Sequence, residues 1–185
     1  KAFILSKKKQ VCELLILKAE HYILTNHYES AALIIDDLMM VHPKNEIIYQ
    51  HKAAILSKKN LHEDAIETLK KGMRFCNNYS EFNSLIALEY LYLEEYFMAK
   101  EYFIKCLNKD DRDNHSLYNI IYCFESMNDN LGAISFLNEC LNKNPYNEIA
   151  WHQIGRQYFE IRMYEQALVS FDYAIICDEK FVGAY

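Results

Sequence analysis

Alanine recurs at Ala31, Ala65, Ala99, Ala133 and Ala167, five positions separated by steps of 34 residues. A fixed period of that size marks a chain built from one supersecondary unit copied in tandem. Other positions keep the same register. Stepping back from Tyr158 gives Phe124, Tyr90, Leu56 and Tyr22, all large. Stepping back from Phe171 gives Leu137, Phe103, Leu69 and Ile35. Gly155 aligns with Ile121, Ala87, Ala53 and Ala19, and Ala174 with Cys140, Cys106, Gly72 and Leu38, mostly small. Pro43 and Pro145 lie three periods apart.

Within one period the apolar spacing is helical. Trp151, Ile154, Gly155 and Tyr158 follow one another at helix-face intervals, and Ala167, Phe171 and Ala174 do the same after a short polar break. Each unit therefore reads as two amphipathic helices in a hairpin. Small residues on both helices let the backbones approach, and large ones fill the groove and reach the next hairpin. A single hairpin cannot bury its apolar face alone, so the units must stack. Proline after the second helix blocks its continuation.

Composition agrees. With 51% hydrophobic and 25% charged residues the chain is globular in balance. Only 4 glycines and 2 prolines are available for turns, too few for a many-stranded fold. The net charge of −6 disfavours nucleic acid, whose binders need a basic face. The one basic run, Lys7-Lys8-Lys9, reads as a solvated helix end. No apolar run reaches the roughly 20 residues a membrane span needs, so no membrane insertion is expected. Six cysteines without a Cys-x-x-Cys pair read as small core residues and suit a reducing, cytoplasmic compartment.

The period and the small/large code resemble the tetratricopeptide repeat. Trp151, Ile154, Gly155, Tyr158, Tyr164, Ala167, Phe171 and Ala174 occupy its signature positions, while Glu179 stands where proline is usual. The resemblance spans five repeats, 12–45, 46–79, 80–113, 114–147 and 148–181. Residues 1–11 fit the tail of a preceding repeat and 182–185 the start of a following one, as in an excerpt of a longer chain. The fold the resemblance implies is all-α, an α-α superhelix: a right-handed solenoid of antiparallel helix hairpins. Ile121 and Asn130 in the fourth repeat, and Lys52 in the second, depart from the pattern. Looser packing is expected there.

Chemistry is sparse. The glycines Gly72, Gly132, Gly155 and Gly183 cannot form a phosphate loop, and neither a His-Glu-x-x-His motif nor a serine elbow is present. His115 and His152 fall on first helices of adjacent repeats, yet a metal needs three converging ligands. Cys123 lies on another face. No cofactor, no metal and no catalysis are expected. Asn78-Tyr79-Ser80 and Asn114-His115-Ser116 match the glycosylation pattern, which is short and common by chance.

The resemblance implies a concave face lined by first helices, where a partner protein or peptide binds. Carried over position by position, this gives Tyr92 in the third repeat, His115, Tyr118 and Tyr122 in the fourth, and His152, Arg156 and Phe159 in the fifth. Aromatic residues and arginine dominate interface energetics. The first three repeats offer acidic and aliphatic groups instead, Glu13, Glu20 and Leu88 among them. The lysine/asparagine/arginine clamp with which some family members grip a C-terminal carboxylate is missing. The function implied is a protein-interaction scaffold. Alternatives are self-assembly by stacking of open solenoid ends with apolar residues such as Phe181, Val182 and Tyr185, or the substrate-recruiting arm of an enzyme whose catalytic domain lies elsewhere.

Overall fold

The computed structural model describes residues 2–76 and 80–178, with the side chains of 2–9 and 80 left aside. Lys7-Lys8-Lys9 as side chains, Asn78, Tyr79, Glu179, Phe181, Val182 and Tyr185 thus lie outside the described residues. The described chain is all-α. Its helices are α1 (Ala2–Leu24), α2 (Tyr28–Val41), α3 (Glu46–Lys58), α4 (His62–Phe75), α5 (Ser80–Tyr92), α6 (Tyr96–Leu107), α7 (Asn114–Ser126), α8 (Asn130–Lys143), α9 (Glu148–Glu160) and α10 (Tyr164–Cys177). First helices from α3 onward begin at 46, 80, 114 and 148, and second helices at 28, 62, 96, 130 and 164, again 34 apart.

The turn inside each hairpin is the most regular feature of the molecule. Asn26, Asn60, Glu94, Asn128 and Arg162 take left-handed backbone angles, with φ of 61°, 59°, 58°, 56° and 63°. The next residue reaches back to the carbonyl five positions earlier. His27 N–H donates to Tyr22 O (2.8 Å), Leu61 to Leu56 (3.0 Å), Glu95 to Tyr90 (2.9 Å), Asp129 to Phe124 (2.9 Å) and Met163 to Tyr158 (2.8 Å). This is the Schellman closure, which satisfies the orphan carbonyls at a helix end and turns the chain sharply. Starts are capped by side chains where the sequence allows: Asn45, Asp113 and Asn147 accept from backbone N–H groups of α3, α7 and α9.

At the N-terminus, a tail from an earlier second helix would need a turn before Cys12. Instead α1 runs unbroken from Ala2 to Leu24. Nothing in Lys7-Lys8-Lys9-Gln10-Val11 breaks a helix, since neither glycine nor proline occurs there.

The chain forms two compact bodies, residues 1–102 and 103–185, with the division inside α6. In the first, Ile16, Ala19, Ala31, Ile35, Ile48 and Ile55 pack α1, α2 and α3 together. A second cluster, with Tyr49, Ala65, Leu69, Phe82 and Ile86, joins α3, α4 and α5. In the second body Leu117, Ile120, Ile121, Phe124, Leu137, Ile154 and Ala174 are buried. All five register alanines are buried, at most 2% exposed. Gly155 shows why small residues are needed: a Cβ there would stand 2.5 Å from Cε1 of Phe171.

The two irregular repeats have physical explanations. Lys52, at a normally apolar site, places its ammonium 2.8 Å from Asp36 on α2. In the fourth repeat, Ile121 occupies the small-residue position, and α7 packs less closely on α8 than α9 does on α10. In addition, α6 has 12 residues where α4, α8 and α10 each have 14. The segment after it reads Asn-Lys-Asp-Asp-Arg-Asp (108–113). Carboxylates oppose the negative end of the helix dipole and end the helix early.

Candidate partner-binding face

The second body carries six of the seven predicted residues. Tyr118 and Tyr122 on α7, and Phe159 on α9, each expose about half of their surface, at 43%, 50% and 57%. His115 is exposed on α7, with its ring edge-on to Phe103 (centroids 6.2 Å). His152 is half-buried beside Phe171 (5.6 Å). Phe159 leans on Tyr164 of its own hairpin (5.4 Å).

Arg156 is tied to α7. One guanidinium nitrogen lies 3.4 Å from Glu125 Oε1, and the other donates to Gln153 Oε1 (3.2 Å). Gln157 Nε2 donates to the same Glu125 oxygen at 2.7 Å. Gln153 and Gln157 are both buried. The carboxylate of Glu125 thus neutralises the cation and links the two first helices. The arginine is therefore not an unpaired charge, a point that residue type alone does not show. Glu125, Gln153 and Gln157 are joined to Arg156 in one polar cluster, although the predicted set omits them. The available signal was the pair of glutamines one turn apart on an otherwise apolar helix face.

Tyr92 lies in the first body. Its ring stacks on His62 (centroids 5.0 Å, planes 18° apart). His62 Nδ1 is 2.7 Å from Glu89 Oε2, and the carboxylate, as an acceptor, fixes the proton on Nδ1. Glu89 is only 8% exposed. Gln50 and Glu81 join α3 to α5 through a 2.9 Å hydrogen bond, a counterpart to the link between α7 and α9.

Among the described residues, no group of three or more histidine, cysteine, aspartate or glutamate side chains could hold a metal ion. All six cysteines are free thiols. Burial pushes the thiols of Cys12, Cys76, Cys106, Cys140 and Cys177 above the ordinary value, so they are poor nucleophiles. Among the described residues, no helix is long and apolar enough to cross a membrane.

A second concavity was not foreseen from the sequence. On the second-helix side, α6 and α8 flank a cavity of about 330 Å³ above Leu117, lined also by Ile104, Asp111, Phe136, Glu139 and Cys140.

The fold built from these hairpins is that of tetratricopeptide repeat proteins, in five 34-residue units. Among solved structures, the chain is similar to MamA, with 17% identity and a TM-score of 0.67 over 93% of this chain and 94% of that one. It is also similar to YrrB, described as a TPR protein with an unusual peptide-binding site, with 17% identity and a TM-score of 0.62 over 100% and 96% of the two chains. No protein-family model matches the sequence, and no curated protein matches it.

Proposed function

We propose that the chain is a non-catalytic protein-interaction scaffold that holds a partner segment against the first helices of its fourth and fifth repeats. The observation that carries this reading is the set of half-exposed rings Tyr118, Tyr122 and Phe159 beside the Glu125–Arg156 link. Large rings with few rotatable bonds supply contact area at low entropic cost, and the polar cluster tied together by Glu125 supplies orientation. The peptide-binding site of YrrB supports the same class of function. An extended or helical peptide with apolar anchors fits this surface better than a carboxylate tail, because Arg156 already has its counter-ion.

The test is affinity capture from native lysate with the wild type and a Tyr122→Ala/Arg156→Ala double variant, helicity being checked by circular dichroism. A partner captured by the wild type and lost from the folded variant is expected. Equal capture of the same partner by both would refute this location.

Self-association is a second reading, favoured by the exposed Val11, Leu14 and Leu17, which recur every three residues along α1. Sedimentation velocity distinguishes it: a concentration-dependent dimer removed by Leu14→Glu is expected under that reading and a monomer at all concentrations under the first.

A further inference from the structure

The cavity over Leu117 is clarified by comparison with the same place in the second and fifth repeats, which carry a ring there; the first and third carry Leu15 and Asn83. In the fifth repeat the fourth residue is Trp151. Its Nε1–H donates to Pro145 O in the preceding turn (2.9 Å), and its ring stacks on Tyr173 (centroids 4.6 Å, planes 22° apart). In the second repeat the fourth residue is Tyr49, whose hydroxyl donates to Pro43 O (2.9 Å) and whose ring is buried against the position of Gly72. Both repeats therefore seat a donor-bearing ring between the preceding turn and their own second helix.

In the fourth repeat that residue is Leu117, with neither ring nor donor. Stepping back 34 residues maps Pro145 onto Asp111, Tyr173 onto Glu139, Ala174 onto Cys140 and Cys177 onto Lys143. All four mapped residues line the cavity. The ring that fills this seat in the second and fifth repeats is missing here, and Leu107 and Asn108, at the short end of α6, line the cavity. The seat keeps apolar walls and an acceptor, while Glu139 stands where Tyr173 stacks in the fifth repeat. Leu117, Ile104 and Phe136 form apolar walls, and Asp111 offers oxygen acceptors where a proline carbonyl accepts in the other two repeats. The volume of about 330 Å³ is at the small end of ligand sites, which run from roughly 300 to 1,000 Å³. It suits one large ring and not a folded element.

We infer that this cavity is a receptor for a tryptophan side chain presented by a partner polypeptide, which completes in trans the ring seat that Trp151 fills in cis. The indole lies between Phe136 and Leu117 and its N–H donates to Asp111. This inference uses the scaffold reading only for the source of the ring. It concerns the second-helix side, and its test is independent of Tyr122 and Arg156.

The probe is N-acetyl-tryptophanamide, titrated into the full chain and followed by amide chemical shifts, with N-acetyl-leucinamide as the control. Saturable shifts at Leu117, Cys140 and Asn144 with the tryptophan amide alone are expected. In Leu117→Trp, which fills the seat, those shifts should fall at least tenfold. Leu117→Tyr, patterned on Tyr49, serves if the larger ring prevents folding. The wild type provides a further readout: saturating probe should slow alkylation of Cys140 several-fold and leave Cys177 unchanged. Absence of saturable shifts, equal shifts from the leucine amide, or binding undiminished in the filled variants would each overturn the assignment. Binding of the amide with no effect of Tyr122→Ala/Arg156→Ala would sustain it even if partner capture at the first helices fails.

Discussion

Glu94 occupies a left-handed turn position that asparagine fills in three of the other four repeats. A side chain with Cβ in that conformation costs about 1 kcal/mol, and asparagine and glycine tolerate it best. Glu94→Gly is therefore expected to stabilise the protein by about 0.5–1 kcal/mol, read as a higher midpoint in urea unfolding. Asn60→Gly should change less, because asparagine already suits the site. Residue identity misleads in the opposite way at Arg156. Its type suggests an anion receptor, whereas its geometry spends the charge on Glu125 at 3.4 Å.

At the scale of the helix pair, contact between backbones depends on the buried alanines. Ala99 has no exposed surface, and Ala99→Leu should overpack its site and cost about 1–3 kcal/mol. An unchanged melting temperature would contradict the packing described. The helices, their pairing and their period were legible because Ala31 to Ala167, the large residues at Tyr22 to Tyr158 and the helical apolar spacing repeat one instruction five times. What was not legible arose where neighbouring elements meet. The cavity goes with two departures acting together: Leu117 lacks a ring, and the acidic segment 108–113 follows an early end of α6. Each reads singly as a mild irregularity. The Glu125–Gln157 bond joins residues 32 apart, and which rotamers meet across two helices is fixed only by packing.

For the whole molecule, protonation sets a window of stability. Burial lowers the pKa of His51 below its ordinary 6.5, with Glu20 opposing, so the folded state binds fewer protons and stability should fall as pH drops through and below 6.5. The raised thiols act at the other edge. Unfolded cysteines ionise near 9.0 while the buried ones stay protonated, so the folded state binds more protons there and stability should fall as pH rises past 9.0. Urea midpoints measured from pH 5 to 10 should show a plateau between these edges, with the acid edge weakened in His51→Gln. The closed turns carry a consequence for how the chain comes to be folded at all. Each hairpin is shut by a hydrogen bond spanning five residues, from His27 to Tyr22 and onward through Met163 to Tyr158. Closing so short a loop sacrifices little entropy, and the residues that must meet are close in sequence. A polypeptide emerging from the ribosome can thus set its first hairpin before the next has been synthesised, each completed one serving as the template on which its successor condenses.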